Sequence, residues 1–169
     1  MFESYLNNVI GLNDKNIKHL PQYAEDLFSQ SIATFEDDNL NLVFAGNIGD
    51  IQSVETIIKA ANELKRYTNI IFHIVGDGSK LEECKQLAES FELENTIFYG
   101  RCPLSEMPYY YGMADAMLIT LKDDKILSYT LPGKVQSYMA AGKPIIGSIN
   151  GETRHVIEKA ECGLCCDAE

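Results

Sequence analysis

The feature that most constrains this chain is an alternation that begins at residue 39. Short apolar runs, several closed by a glycine, take turns with segments whose apolar residues share one helical face. Leu40–Ala45 (LNLVFA) ends at Gly46, Ile70–Val75 (IIFHIV) at Gly76 and Thr96–Tyr99 at Gly100. Ala116–Thr120 (AMLIT), Pro144–Ser148 and Gly163–Cys166 are further runs of this kind. Between them, Ser53–Arg66 sets Val54, Ile57, Ile58, Ala61 and Leu64 at helical spacing. Ser79-Lys-Leu-Glu82 has the spacing of a capping box and opens a helix with Leu81, Cys84, Leu87, Ala88 and Phe91 on one face. Ser105–Met113 reads as a short helix that tolerates Pro108 in its first turn. Lys122–Thr130 reads as a polar loop, and Gly133–Ala141 and Glu152–Ala160 as helices. Strands that are short and continuously apolar are covered on both faces. The pattern therefore predicts an α/β fold with a doubly wound parallel sheet. Ligands of such sheets bind at the carboxyl ends of the strands, which points to loops 46–52, 76–78, 100–104, 121–133 and 147–153.

Residues 1–38 break this rhythm. Glu3–Ile10 reads as a short helix ended by Gly11, Ile17–Asp26 as an extended piece broken at Pro21, and Phe35–Asn39 as an acidic linker. We expect 1–38 to be a linker segment and 39–169 the folded domain. At 169 residues the chain is long enough for one domain with a proper core. With 14 Lys+Arg against 25 Asp+Glu the formal charge is −11, which argues against bulk binding to nucleic acid or to an anionic membrane. No apolar run reaches the length of a membrane span, and the start lacks the basic and apolar regions of a signal peptide. A cytoplasmic location is the expectation. The odd count of five cysteines, Cys84, Cys102, Cys162, Cys165 and Cys166, reads as reduced thiols, and the single CxxC has no second ligand pair at the spacing a zinc site would want. No metal site is expected. His73, inside an apolar run, reads as a core residue.

Three loops could carry chemistry. Gly46-Asn-Ile-Gly-Asp50 follows a strand and precedes a helix, so its backbone N–H groups could meet an anion, but the third glycine of a dinucleotide fingerprint is missing. Gly76-Asp-Gly-Ser79 reads first as a tight turn and second as a phosphate or ribose contact. Leu131-Pro-Gly-Lys134 opens a helix after a polar loop, and a lysine at a helix N-terminus opposes the macrodipole. An anionic ligand would offset that cost; a solvated lysine is the alternative. Arg101, at another strand end, is either a surface arginine or a second cation in the cleft. Tyr109, Tyr110 and Tyr111 fall on different sides of a helix and read as packing and surface residues.

Taken in order, these stretches resemble the carboxyl-terminal domain of group 1 (family 4) retaining glycosyltransferases. The matching segments are Phe44-Ala-Gly-Asn-Ile-Gly49, Ile74-Val-Gly-Asp-Gly78, Phe98-Tyr-Gly-Arg101, Ala114-Asp-Ala116, Asn150-Gly-Glu-Thr153, Ala160-Glu-Cys-Gly163 and, above all, Leu131-Pro-Gly-Lys-Val-Gln-Ser-Tyr-Met-Ala-Ala-Gly-Lys-Pro144. The resemblance implies a Rossmann-like sheet that is one half of a two-domain type B fold, with the active site between the halves. It implies that this chain holds only the donor half, that His19–Glu25 enters it from the first domain, and that the family runs on into further helices beyond Asp167-Ala-Glu169. In the better-known branch the first loop carries an arginine and a lysine where Asn47 and Gln52 stand here, and two glutamates occupy the positions of Tyr129 and Ser137. Pro132-Gly133-Lys134 instead resembles the Pro-Ser-Lys branch, which transfers UDP-activated N-acetylated sugars in bacterial surface polysaccharide synthesis.

The expectation is a donor-binding domain that is inactive alone. Lys134 and Arg101 would act on the leaving diphosphate. Gly46, Asn47, Gly49, Asp50, Gly76, Asp77, Cys102, Tyr129, Thr130, Pro132, Gly133 and Ser137 would contact the nucleotide sugar. The donor is a substrate, so neither cofactor nor metal is implied, and the glycan or lipid-linked acceptor would be met through the first domain. Two alternatives stay open at this point. One is a UDP-sugar 2-epimerase, for which Glu152 and His155 would have to serve. The other is a non-catalytic nucleotide-binding domain.

Overall fold

The computed structural model describes residues 2–12, 17, 18, 20, 22–29 and 37–169, the side chains of 2–4 and 29 excepted. His19 and Pro21 of the entering segment, and Phe35 of the acidic linker, lie outside the described residues. Two short helices come first, α1 (Phe2–Asn8) and α2 (Asp26–Ser29). Then follow β1 (Leu40–Ala45), α3 (Val54–Glu63), β2 (Ile70–Val75), α4 (Leu81–Ser90), β3 (Thr96–Gly100), α5 (Met107–Met113), β4 (Ala116–Thr120), α6 (Gly133–Ala140), β5 (Ile145–Ser148), α7 (Gly151–Lys159) and β6 (Gly163–Cys166). All six strands are parallel, in the order β3-β2-β1-β4-β5-β6. The doubly wound sheet expected from the alternation is the one observed. The strand order reverses between β1 and β4, and that is where a crevice forms in such sheets.

The two faces of the sheet follow from period-two alternation. Leu42, Phe44, Phe72, Ile74, Ala116 and Leu118 face one way, under Val54, Ile57, Ile58 and Ala61 of α3 and Leu81, Cys84 and Ala88 of α4. Val43, Ala45, Val75, Met117, Ile119 and Ile145 face the other way, under Tyr110 and Tyr111 of α5, Val135 and Tyr138 of α6, and Ile157 of α7. Phe28 of α2 joins this second layer, its ring stacked on Tyr111 at 4.9 Å. Among the described residues no helix is long and apolar enough to cross a membrane.

Two local expectations are corrected. Ser79 does not cap α4: the helix starts at Leu81, Lys80 holds the cap position, and no side chain caps it. The neighbouring backbone meets this end of the helix instead: the Ile48 carbonyl accepts the Lys80 N–H at 2.9 Å and the Gly78 carbonyl accepts the Leu81 N–H at 3.1 Å. The polar loop 122–130 contains a 3-10 turn, Leu127–Tyr129, because Asp124 Oδ1 accepts the N–H groups of Ile126 and Leu127.

His73 is a core residue, as its apolar surroundings implied. Its Nε2 lies 2.9 Å from Asn41 Oδ1 and its Nδ1 lies 2.9 Å from the Tyr99 hydroxyl. Asn41 Nδ2 donates to Asp37, which turns the amide oxygen toward the ring. Nε2 therefore donates and Nδ1 accepts from Tyr99, and both bonds suit the neutral imidazole. Burial holds its pKa below the ordinary value, against a weaker opposing pull from Asp37. A base with a depressed folded pKa contributes stability above its unfolded pKa and loses it as the pH falls. Denaturant unfolding from pH 7 to pH 5 should therefore show stability declining, with this group contributing a slope of up to about 1.4 kcal/mol per pH unit. His73→Gln should flatten the decline; an unchanged slope would show that His73 is not the group responsible.

Candidate functional site

The carboxyl ends of β1, β2 and β3 form the floor of a cleft of about 420 Å3. Gly46, Asn47, Val75, Gly76, Asp77, Gly78, Arg101, Cys102 and Met107 line it. Its floor is built from two interlocked loops. Gly46 N–H donates to the Val75 carbonyl, Ile48 N–H to Asp77, and Gly76 N–H to Gly100. The approach is so close that a Cβ on Gly76 would lie 1.8 Å from the Gly46 carbonyl oxygen, and one on Gly78 would lie 2.3 Å from that of Ile48. Gly76 also has φ +142°, which L side chains rarely adopt. These glycines are present because two backbones touch.

The most unusual group stands beside this floor. Lys134 lies in the first turn of α6, and its Nζ is buried with no hydrogen-bond partner among the described residues. The ammonium sits 4.0 Å above the centre of the Phe44 ring, and a Cβ on Gly46 would be 2.6 Å from it. Phe44 belongs to the layer under α3, whereas Val135 and Tyr138 of α6 belong to the opposite layer. Lys134 thus reaches past the end of β1 at the point where the strand order reverses. Burial lowers its pKa from 10.5 to about 8. That shift corresponds to about 3 kcal/mol of cost for the charged form. A cation–π contact returns about 0.5–2 kcal/mol, and no carboxylate among the described residues is paired with the amine. The solvated lysine considered from sequence is excluded, and the structure holds an amine whose charge is incompletely compensated.

The other residues named from sequence divide into two groups. Gly46, Asn47, Gly76, Asp77, Arg101 and Cys102 share the cleft. Arg101 and Asp77 are exposed and make no ion pair with any described residue, and Asp77 Oδ1 accepts the Gly78 N–H at 2.7 Å. Cys102 Sγ lies 3.2 Å from the Tyr110 hydroxyl. Outside the cleft lining, Gly49 is buried beneath the Asn47–Gln52 side-chain bond of 3.1 Å. Asp50 turns to Lys122 at 2.7 Å. Tyr129 meets the Tyr5 ring at 5.6 Å, and the Thr130 carbonyl accepts from Thr153. Pro132 holds the cap position of α6, and the Gln22 amide lies over Gly133. Ser137 is buried, 3.4 Å from the Gly133 carbonyl and 3.5 Å from Glu25 Oε2. Glu152 and His155 lie on α7, away from the cleft lining. Among the described residues no cluster of His, Cys, Asp or Glu could hold a metal.

Sequence reasoning missed Phe44 as the seat of the ammonium, Met107 as a cleft wall, and Tyr138. Tyr138 carried a signal: it lies one helical turn after Lys134 and so shares its face.

The chain is similar to known proteins in sequence and in fold. The family described as glycosyl transferases group 1 matches residues 24–169. The probable glycosyltransferase WbjE of Pseudomonas aeruginosa is 29% identical over 125 residues, covering 73% of this chain and 31% of that protein. The putative colanic acid biosynthesis glycosyl transferase WcaI of Escherichia coli is 28% identical over 152 residues, covering 82% of this chain and 37% of that protein. The chain thus spans about a third of the length of these curated relatives. A mutant of S. aureus TarM, solved in complex with fondaparinux, alpha-GlcNAc-glycerol and UDP, superposes with a TM-score of 0.75 at 13% identity, over 100% of this chain and 33% of that one.

The uncompensated charge makes a prediction about stability without any ligand. Lys134→Met keeps the aliphatic stem and removes the buried amine, so it should raise the unfolding free energy at pH 7 by about 1–3 kcal/mol. Because the folded pKa is depressed, the wild-type chain should also gain stability from this group as the pH rises from about 8 toward 10.5. The variant should lack that gain. A destabilised Lys134→Met would mean that the amine is satisfied in the folded chain.

Proposed function

This chain belongs to the glycosyl transferases group 1 family, and on that premise we propose that it is the nucleotide-sugar-binding half of a retaining glycosyltransferase of bacterial surface polysaccharide synthesis. The donor is a UDP-linked sugar, N-acetylated, and the acceptor is a glycan or lipid-linked glycan held by the other half of the enzyme at the cytoplasmic side. The one observation that carries this reading is the buried, unpartnered Lys134 amine against the glycine floor. An anion arriving at Gly46 would supply the opposite charge that the folded chain withholds. The UDP of the TarM complex supports the choice of nucleotide.

The roles of the residues follow from their positions. The β-phosphate would meet Lys134 and the backbone at Gly46. Arg101 at the cleft wall would add a second positive charge, and the loop that carries Cys102 would face the base. As the glycosidic bond breaks, negative charge grows on the departing diphosphate. A cation in a site that excludes water is worth more to that charge than one in solvent. Lys134 needs no reorganisation to act, because packing against Phe44 already fixes its position. No metal enters this scheme: the charge on the leaving group is assigned to Lys134 and Arg101.

Thermal unfolding against UDP, GDP, ADP, CMP and NAD tests the donor class. A ligand at about 100 times its dissociation constant adds roughly 2.7 kcal/mol. UDP should stabilise the chain selectively, and Lys134→Met should lose at least tenfold in UDP affinity. Affinity should also fall as the pH rises above about 8, where the free amine deprotonates. In the full-length enzyme Lys134→Ala should lower turnover at least tenfold, about 1.4 kcal/mol of transition-state stabilisation. Stabilisation by NAD alone, or full turnover by Lys134→Ala, would contradict the reading.

A further inference from the structure

The β1–β4 ladder is short. It pairs Leu42 with Ala116 and Val43 with Met117, while β1 runs on to Ala45 and β4 to Thr120. Past Val43 the β1–β4 ladder is open, and the backbone of Ala45, paired with β2 on its other side, faces the opening with no strand on the β4 side. A buried N–H and C=O cannot be left unpaired cheaply. Tyr138 supplies what the missing strand would have supplied. Its hydroxyl accepts the Ala45 N–H at 3.2 Å and donates to the Ala45 carbonyl at 2.9 Å. The ring is fully buried and is held edge-on by Tyr111 at 5.4 Å.

Ala45 is the residue before Gly46, and Tyr138 is four residues after Lys134. One hydroxyl therefore ties together the two parts of the anion site, the strand end that bears Gly46 and the helix face that bears Lys134. Resting on the donor-binding reading above, we propose that Tyr138 is a positioning residue for the diphosphate, setting the distance between the Lys134 amine and the Gly46 backbone. It touches no ligand itself, and it acts through Ala45 on one side and through the first turn of α6 on the other.

A residue that only stabilises the fold would affect all ligands alike. A positioning residue affects the ligand that spans the gap it sets. Calorimetric titration of the wild-type chain, Tyr138→Phe, Lys134→Met and the double variant with UDP and with UMP separates the two. Tyr138→Phe should weaken UDP at least fivefold and leave UMP within twofold. In the Lys134→Met background the same change should cost less than twofold for UDP. Val135→Ala, a cavity in the same helix that leaves the hydroxyl bond intact, should lower stability without changing the UDP-to-UMP ratio. If Tyr138→Phe fails to fold, 3-fluorotyrosine installed at position 138 keeps the ring, weakens the hydroxyl as an acceptor, and must move the ratio in the same direction. Equal losses for UDP and UMP, additive effects in the double variant, or a ratio shifted equally by Val135→Ala would overturn the proposal. A wild-type chain that binds neither nucleotide would contradict the donor-binding reading itself and remove the basis of this one.

Discussion

The structure depends on a parallel sheet that comes apart at its centre. Strands β1 and β4 part after two register pairs, and each then continues with a partner on its outer side only, β1 along β2 to Ala45 and β4 along β5 to Thr120. Everything around the candidate site is a response to that opening. The loop after β1 folds over it, with the Ile51 carbonyl accepting the Lys122 N–H and the Gln52 carbonyl accepting the Thr120 hydroxyl. The first turns of α6 close it from the other side, the Tyr138 hydroxyl replacing a strand and the Lys134 stem passing the strand end. Filling the opening with a polar and a basic side chain costs stability that an apolar plug would not. That cost falls where strand order reverses, the place where such sheets bind ligands.

Much of the fold was legible. The runs Leu40–Ala45, Ile70–Val75, Ala116–Thr120 and Gly163–Cys166 are strands with the bounds read from their apolar pattern. The three inner strands are legible because a strand covered on both faces has no polar alternation to blur its ends; Gly163–Cys166 lies at the sheet edge with Leu164 exposed, and only its apolar composition marks it. The helix starts were less so. Ser79 does not cap α4, and the start of that helix is held to the Ile48 carbonyl of another loop, a contact between distant segments that leaves no mark in the local sequence.

The candidate site divides along the same line. Lys134 could be singled out because a basic residue in the first turn of a helix is out of place. That it would be buried over Phe44, with no partner, could not be read from residues ninety positions apart. Gly76 and Gly78 read locally as a turn; their close approach to Gly46 and Ile48 is a property of two strands lying side by side. Asn47 and Gln52, read by resemblance as neutral where related loops carry cations, are bonded to each other above Gly49.

The central claim is that Lys134 holds an incompletely compensated amine that awaits an anion. Its direct test is a nuclear magnetic resonance titration of the lysine side chains labelled with carbon-13 at Cε, with Lys134→Met to assign the signal. Lys134 should titrate with a free-chain midpoint of about 8, below the ordinary lysine value, and shift upward when UDP is added. A Lys134 signal that titrates near 10.5 in the free chain, and does not move with UDP, would contradict the claim.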